Sequence, residues 1–211
     1  MNQFTHFLTG HLAARGCKQN HNQFLSFFTA TAAVVPDFDY VVGRFVPNFP
    51  HGVFTHTILG GLLFALAFSG LSFFLMYQYC KETQLSFVIL LKFAIIGMLA
   101  HLFLDSFTFY EGPHDAIHHM YFWPIWNFPV HINTLFPATT YTIRVWVEVV
   151  YTVIICCIIL FYGGLFKKER PWEIFLPIRW LEAISNKKKR IRTEISIFYC
   201  LSVISMIVTF L

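Results

Sequence analysis

Between Phe87 and Phe109 the chain reads FVILLKFAIIGMLAHLFLDSFTF. The run is long enough to cross a bilayer, which takes roughly 17–25 apolar residues. Within it, His101 and Asp105 are spaced i,i+4, so a helix presents both on one face. Ionisable groups at membrane depth cost several kcal/mol and mark a function far more often than not. A purely structural His101–Asp105 hydrogen bond between helices is the plainer alternative.

The rest of the composition agrees with a membrane reading. Of 211 residues, 56% are hydrophobic, 19% aromatic and only 12% charged, and Phe alone occurs 26 times. That is too apolar for an ordinary soluble domain. Cys17, Cys80, Cys156, Cys157 and Cys200 form no C-x-x-C pair, which argues against a disulfide framework and a thiolate zinc site.

Besides residues 87–109, three more stretches have spanning length: Val53–Tyr79, Thr142–Phe166 and Ile195–Leu211. Phe24–Val35 is too short to span. Together with the periodicity of Phe4, Phe7, Leu8, His11 and Leu12 it predicts a hairpin of two short helices, about 4–15 and 22–35. A signal peptide ending near Ala32 is the competing reading of this segment. The expected fold is therefore all-α: a polytopic helical bundle of about four spanning helices plus a short N-terminal helical hairpin. Residues 1–140 form a metal-site membrane domain, and 141–211 a C-terminal pair of spans joined by a basic loop.

Nine of the fifteen Lys and Arg residues lie between Lys167 and Arg192. The positive-inside rule puts this loop in the cytoplasm. Counting back, segments 36–52 and 110–141 face outward, and Lys92 snorkels to the inner face. No nucleic-acid partner is expected; the lipid bilayer is.

All ten histidines fall in the first 131 residues. The orientation was derived without them, yet it gathers His6, Asp37, Asp39, His56, His101 and Asp105 near one outer face. Imidazole and carboxylate donors without thiolates suit Zn²⁺ first, and also Mn²⁺ or Fe. His6, Asp37, His56, His101 and Asp105 are the expected metal ligands. Asp39 and His51 are the candidates for general base or for orienting a ligand. His114, Asp115, His118, His119 and His131 belong to a loop whose Trp123 and Trp126 read as interfacial anchors, and they are left outside the ligand set. Gly61, Ala65 and Ser69 form a small-residue stripe suited to close helix packing.

At these residues the chain resembles a bacterial family of membrane-bound metal-dependent hydrolases of the LexA-binding inner-membrane type. The matching elements are Thr5-His6-Phe7-Leu8-Thr9-Gly10 for T-H-x-x-x-G, Pro36-Asp37-Phe38-Asp39 for P-D-x-D, and His51-Gly52-Val53-Phe54-Thr55-His56 for the spacing of H-R-G-x-T-H. Gly97 to Asp105 matches G-x-x-x-H-L-x-x-D, and Trp123-Pro124 matches a later W-P element. Order and spacing agree over about residues 1–126. Tyr40 stands where the family often has His, and Gly52-Val53 replaces Arg-Gly, which removes a possible phosphate-binding arginine.

The resemblance implies a hydrolase using metal-activated water in the bacterial inner membrane. A site near the headgroups implies a lipid or phosphoester substrate. A non-catalytic metal-binding scaffold, or an ion or proton transporter, is the alternative of a different class. A transporter would need polar residues continuing toward the cytoplasmic face.

Overall fold

The computed structural model describes residues 3–17, 23–39, 45–46, 52–75, 77, 85–107, 120–130, 140–159 and 161. Among these the regular elements are helical: α1 (Gln3–Gly16), α2 (Gln23–Ala32), a 3₁₀ turn (Val35–Asp37), α3 (Ile58–Leu75), α4 (Phe87–Asp105) and α5 (Tyr141–Cys157). The expected hairpin at 4–15 and 22–35 corresponds to α1 and α2.

Two helices are long and apolar enough to cross a membrane, α3 and α4. That is fewer than the four spans expected. The third expected span, Thr142–Phe166, is described as the 17-residue α5, whose apolar portion is Val145–Cys157. The fourth, Ile195–Leu211, and the basic Lys167–Arg192 loop lie outside the described residues.

α3 also starts later than Val53. Residues 52–56 form turns, and the Thr57 hydroxyl accepts a hydrogen bond from the Gly60 amide at 2.9 Å, as an N-cap does. The cap is tight. A Cβ on Gly60 would lie 1.9 Å from the Phe54 carbonyl oxygen, so only glycine lets the turn fold back on the helix. His56 therefore sits on the turn before α3 rather than on the helix itself. At α4 the Ser86 hydroxyl plays the same capping role toward the Ile89 amide, at 3.3 Å.

α1, α2 and α4 pack together around unusually close backbones. A Cβ on Gly10 of α1 would lie 2.7 Å from Ala33 Cβ and 2.8 Å from the Thr29 carbonyl oxygen. A Cβ on Gly97 of α4 would lie 2.5 Å from that same carbonyl and 3.0 Å from the Ala33 amide nitrogen. The end of α2 is thus clamped between two glycines on neighbouring helices. Small residues allow such approach, and dispersion between closely packed helices is the main attraction available in lipid.

The clamp continues into a core of Ala14, Leu25, Phe28, Ala32, Leu90, Phe93, Ala94 and Met98. Phe28 stacks on Phe68 at 4.9 Å and ties α2 to α3. α3 turns its small-residue stripe inward, with Gly60, Gly61, Ala65 and Ser69 buried. Its leucines and phenylalanines, among them Leu62, Leu63, Leu66 and Phe74, face outward with Val88, Leu99 and Phe103 of α4. That inside-small, outside-large arrangement matches a lipid solvent.

Polar groups on the apolar helices find local partners. Thr9, Thr29 and Thr31 donate to the carbonyls of Thr5, Leu25 and Phe27, four residues back. α5 meets α1 through a Thr5–Thr152 hydroxyl contact of 2.9 Å and a Thr9–Tyr151 contact of 3.2 Å. Tyr121 pins the segment 120–130 to the end of the bundle. Its hydroxyl donates to the Leu102 carbonyl at 2.6 Å, and its own carbonyl accepts from the Ile58 amide at 2.8 Å. Trp123 and Trp126 on this segment are exposed, as interfacial anchors are.

Candidate metal centre

The clamp sets the depth of the site. On α1, His6 precedes Gly10 by four residues; on α4, Gly97, His101 and Asp105 follow one another at four-residue spacing. Each glycine therefore lies on the same helix face as its histidine. Where the glycines let α1 and α4 close on α2, the two imidazoles come together as well. His6 and His101 stack with ring centroids 4.0 Å apart and 24° between planes. Both are fully buried.

The 3₁₀ turn brings Asp37 from α2's end, and the turn before α3 brings His56. His56 Nε2 lies 3.1 Å from His101 Nε2, 3.3 Å from Asp105 Oδ2 and 3.5 Å from Asp37 Oδ1. His101 Nε2 lies 2.9 Å from Asp105 Oδ2 and 3.8 Å from Asp37 Oδ1. His6 Nε2 lies 3.1 Å from Asp105 Oδ1. All five residues expected as ligands converge, from four separate elements.

The second nitrogen of two rings shows which way the first one points chemically. His101 Nδ1 is 2.8 Å from the Ala33 carbonyl oxygen, which can only accept, so Nδ1 carries the proton. On the other ring, Thr55 donates its hydroxyl proton to Asp39 Oδ2 and receives His56 Nδ1–H at 2.8 Å. Asp39 Oδ2 also accepts the Gly52 amide at 2.8 Å, and Gly52 reaches that position with a φ of 77°, which suits glycine. In their neutral forms, then, both histidines turn a bare Nε2 lone pair toward each other and toward a carboxylate oxygen.

Lone pairs do not converge within 2.9–3.3 Å without something positive between them. His6 approaches the same carboxylate: its Nε2 is 3.1 Å from Asp105 Oδ1 but not in hydrogen-bond alignment, and its Nδ1 has no hydrogen-bond partner. Asp105 and Asp37 end a helix and a 3₁₀ turn, where the backbone dipole already presents negative potential. A buried carboxylate, Asp105, and a largely buried one, Asp37, placed there call for added positive charge.

Two overlapping triads have ligand atoms all within 4.8 Å of one another: His6–Asp37–His101 and His56–His101–Asp105. Donors held about 2.0–2.2 Å from a tetrahedral ion lie about 3.3–3.6 Å from each other. The separations quoted for His56, His101, Asp105 Oδ2 and Asp37 Oδ1 run from 2.9 to 3.8 Å, around that value.

Of the two residues expected to act beside the ligands, Asp39 is buried behind His56, 4.0 Å from its Nδ1, and reaches it through Thr55. That is an orienting position. His51 lies outside the described residues, as do His114, His118, His119 and His131. Three contributors carried no role in the sequence reading: Thr55, the Ala33 carbonyl and the paired glycines Gly10 and Gly97. The four-residue spacing of each glycine from a histidine was the available signal for the last.

Against known proteins, the model of a family described as YdjM inner membrane protein matches residues 1–208. No curated protein and no solved structure gives a match.

Proposed function

The chain belongs to the YdjM inner membrane protein family, and on that premise we propose that it is a membrane-bound metal-dependent hydrolase acting on a lipid-borne ester or phosphoester. The observation that carries the reading is the pair of Nε2 lone pairs of His56 and His101, 3.1 Å apart and each fixed by a hydrogen bond on its other nitrogen. Metal-ligating histidines have this arrangement, with Nδ1–H bound to a carbonyl or, here through a hydroxyl, to a carboxylate.

His6, Asp37, His56, His101 and Asp105 would hold the ion, Zn²⁺ by donor type, with Mn²⁺ or Fe as further fits. When bound, such an ion supplies Lewis acidity, polarising a substrate oxygen and lowering the pKa of water to about 7. The chain's own part is positional. Asp39 and Thr55 keep the His56 ring from rotating and keep its proton on Nδ1. The Ala33 carbonyl does the same for His101. Burial of His6, His56, His101 and Asp105 keeps bulk water from the donors and strengthens each electrostatic contact. His51, one residue before Gly52, remains the proposed general base.

In the full proposed topology, four helices span the membrane, the Lys167–Arg192 loop is cytoplasmic, residues 1–140 carry the site and 141–211 brace it. The centre then opens outward. An ion or proton carrier is the less favoured reading, because the buried residues that α3 and α4 contribute away from the site, among them Gly61, Ala65, Leu90, Phe93, Ala94 and Met98, include Ser69 as the one polar side chain. The deciding experiment uses right-side-out membrane vesicles given phosphoester and lipid-ester substrates from outside. Hydrolysis that stops with chelator and returns with Zn²⁺ or Mn²⁺ is expected. Purified protein with well below one ion per chain, after metal-replete expression without chelator, would overturn the reading.

The orienting relay has its own test. Thr55→Val removes the hydroxyl between His56 and Asp39 without removing a donor atom. Metal affinity is expected to fall about 10–100-fold, the usual effect of losing a group behind a ligand. Asp39→Asn should act similarly, and the double variant should be little worse than either, since both break one chain of hydrogen bonds. Additive losses would mean the two residues act separately.

A further inference from the structure

We propose that the centre is built for two divalent ions bridged by the Asp105 carboxylate. The proposal rests on the metal reading above and extends it to the number of ions and the shape of the ligand they take.

The two oxygens of Asp105 serve different partners. Oδ2 lies 2.9 Å from His101 Nε2 and 3.3 Å from His56 Nε2, while Oδ1 lies 3.1 Å from His6 Nε2. Four donors around the first position, His56, His101, Asp105 Oδ2 and Asp37 Oδ1, already satisfy a tetrahedral ion. His6 is then left over. It is fully buried, and neither ring nitrogen makes a hydrogen bond. Its one polar neighbour is Asp105, met at 3.1 Å without hydrogen-bond alignment, which is how a metal ligand rather than a hydrogen-bonded histidine approaches a carboxylate.

The stacking geometry says where a second ion would sit. The His6 and His101 rings lie nearly parallel with centroids 4.0 Å apart, and their Nε2 atoms approach the two oxygens of one carboxylate. The ligand atoms of the two rings lie within 4.8 Å of one another, which leaves room for them to serve two points rather than one. Ions in two-metal sites are separated by about 3.5–4 Å. Asp37 belongs to the triad with His6 and His101 and so is within reach of the second ion too. His6, Asp105 Oδ1 and Asp37 leave that ion with open positions. The ligand class that fits is an oxyanion able to span both ions, as the phosphoryl group of a phosphoester does.

The test is metal stoichiometry on the purified full chain in detergent, after loading with Zn²⁺ or Mn²⁺ and removal of loose metal. Two ions per chain are expected in the wild type and one in His6→Ala. One ion per chain in the wild type would overturn the two-ion proposal and leave the metal reading standing. Well below one would overturn both. Because His6→Ala could unfold, wild-type protein saturated with Mn²⁺ gives a second readout by electron paramagnetic resonance. An exchange-coupled pair signal supports the bridge, and an isolated-ion six-line spectrum at saturation overturns it.

Discussion

Purified without chelator after metal-replete expression, the His101→Ala variant is expected to retain almost no metal. His101 belongs to both donor triads. Its loss removes a proposed ligand and also the bond to the Ala33 carbonyl, just past the end of α2. Groups that merely orient a ligand are worth 10–100-fold in affinity, so losing the ligand itself should exceed about 100-fold. Stability in detergent should fall as well. Asp37 and Asp105 remain buried with less compensation, and breaking a buried charged contact costs about 3–5 kcal/mol. His118→Ala serves as the comparison and should keep its metal. A purely structural His101–Asp105 pair also predicts lost stability, and a proton shared between His56 and His101 would satisfy the same lone pairs. Neither predicts metal in the wild type, so elemental analysis of the wild type beside the variant separates them.

Gly97→Ala should be nearly as damaging, although it adds one methyl group and removes no donor. The new Cβ would lie 2.5 Å from the Thr29 carbonyl oxygen, 2.9 Å from Ala32 Cβ and 3.0 Å from the Ala33 amide. Overpacking costs about 1–3 kcal/mol where side chains can yield. Here the obstacles are backbone atoms of α2's end, so the cost should reach about 3 kcal/mol or more. The displacement acts on the site directly. Thr29 and Ala32 take the closest contacts and Ala33 the next, and the Ala33 carbonyl is the one that holds His101 Nδ1. Metal content and thermal midpoint are expected to fall together. Gly61→Ala is the control: its Cβ would meet only Met98 Cβ at 3.8 Å, an ordinary contact, and should leave both near wild type. Equal behaviour of the two variants would mean that the α2–α4 clamp does not set the site.

Sequence by itself carried the helical class, because apolar runs such as 87–109 leave the backbone few ways to satisfy its hydrogen bonds in lipid. It also carried the membership of the cluster. His101 and Asp105 share a face by spacing alone, and an orientation derived from distant lysines and arginines put His6, Asp37 and His56 at their level. Those are one-dimensional properties, periodicity and charge bias, and they survive without coordinates. The start of α3 was not legible, since Val53 and Phe54 are as apolar as the helix that follows; the Thr57 cap and the glycine at 60 decide it.

How donors from four elements meet follows from packing alone. No local pattern says that Gly10 and Gly97 both close on the same two residues at the end of α2 and just past it, Thr29 and Ala33. Nor does any say that the Ala33 carbonyl takes the proton of His101, or that Thr55 connects His56 to Asp39. Ring orientation and tautomer depend on partners up to 68 residues away in the chain. They are fixed by packing distance, and packing distance is a property of helices already assembled.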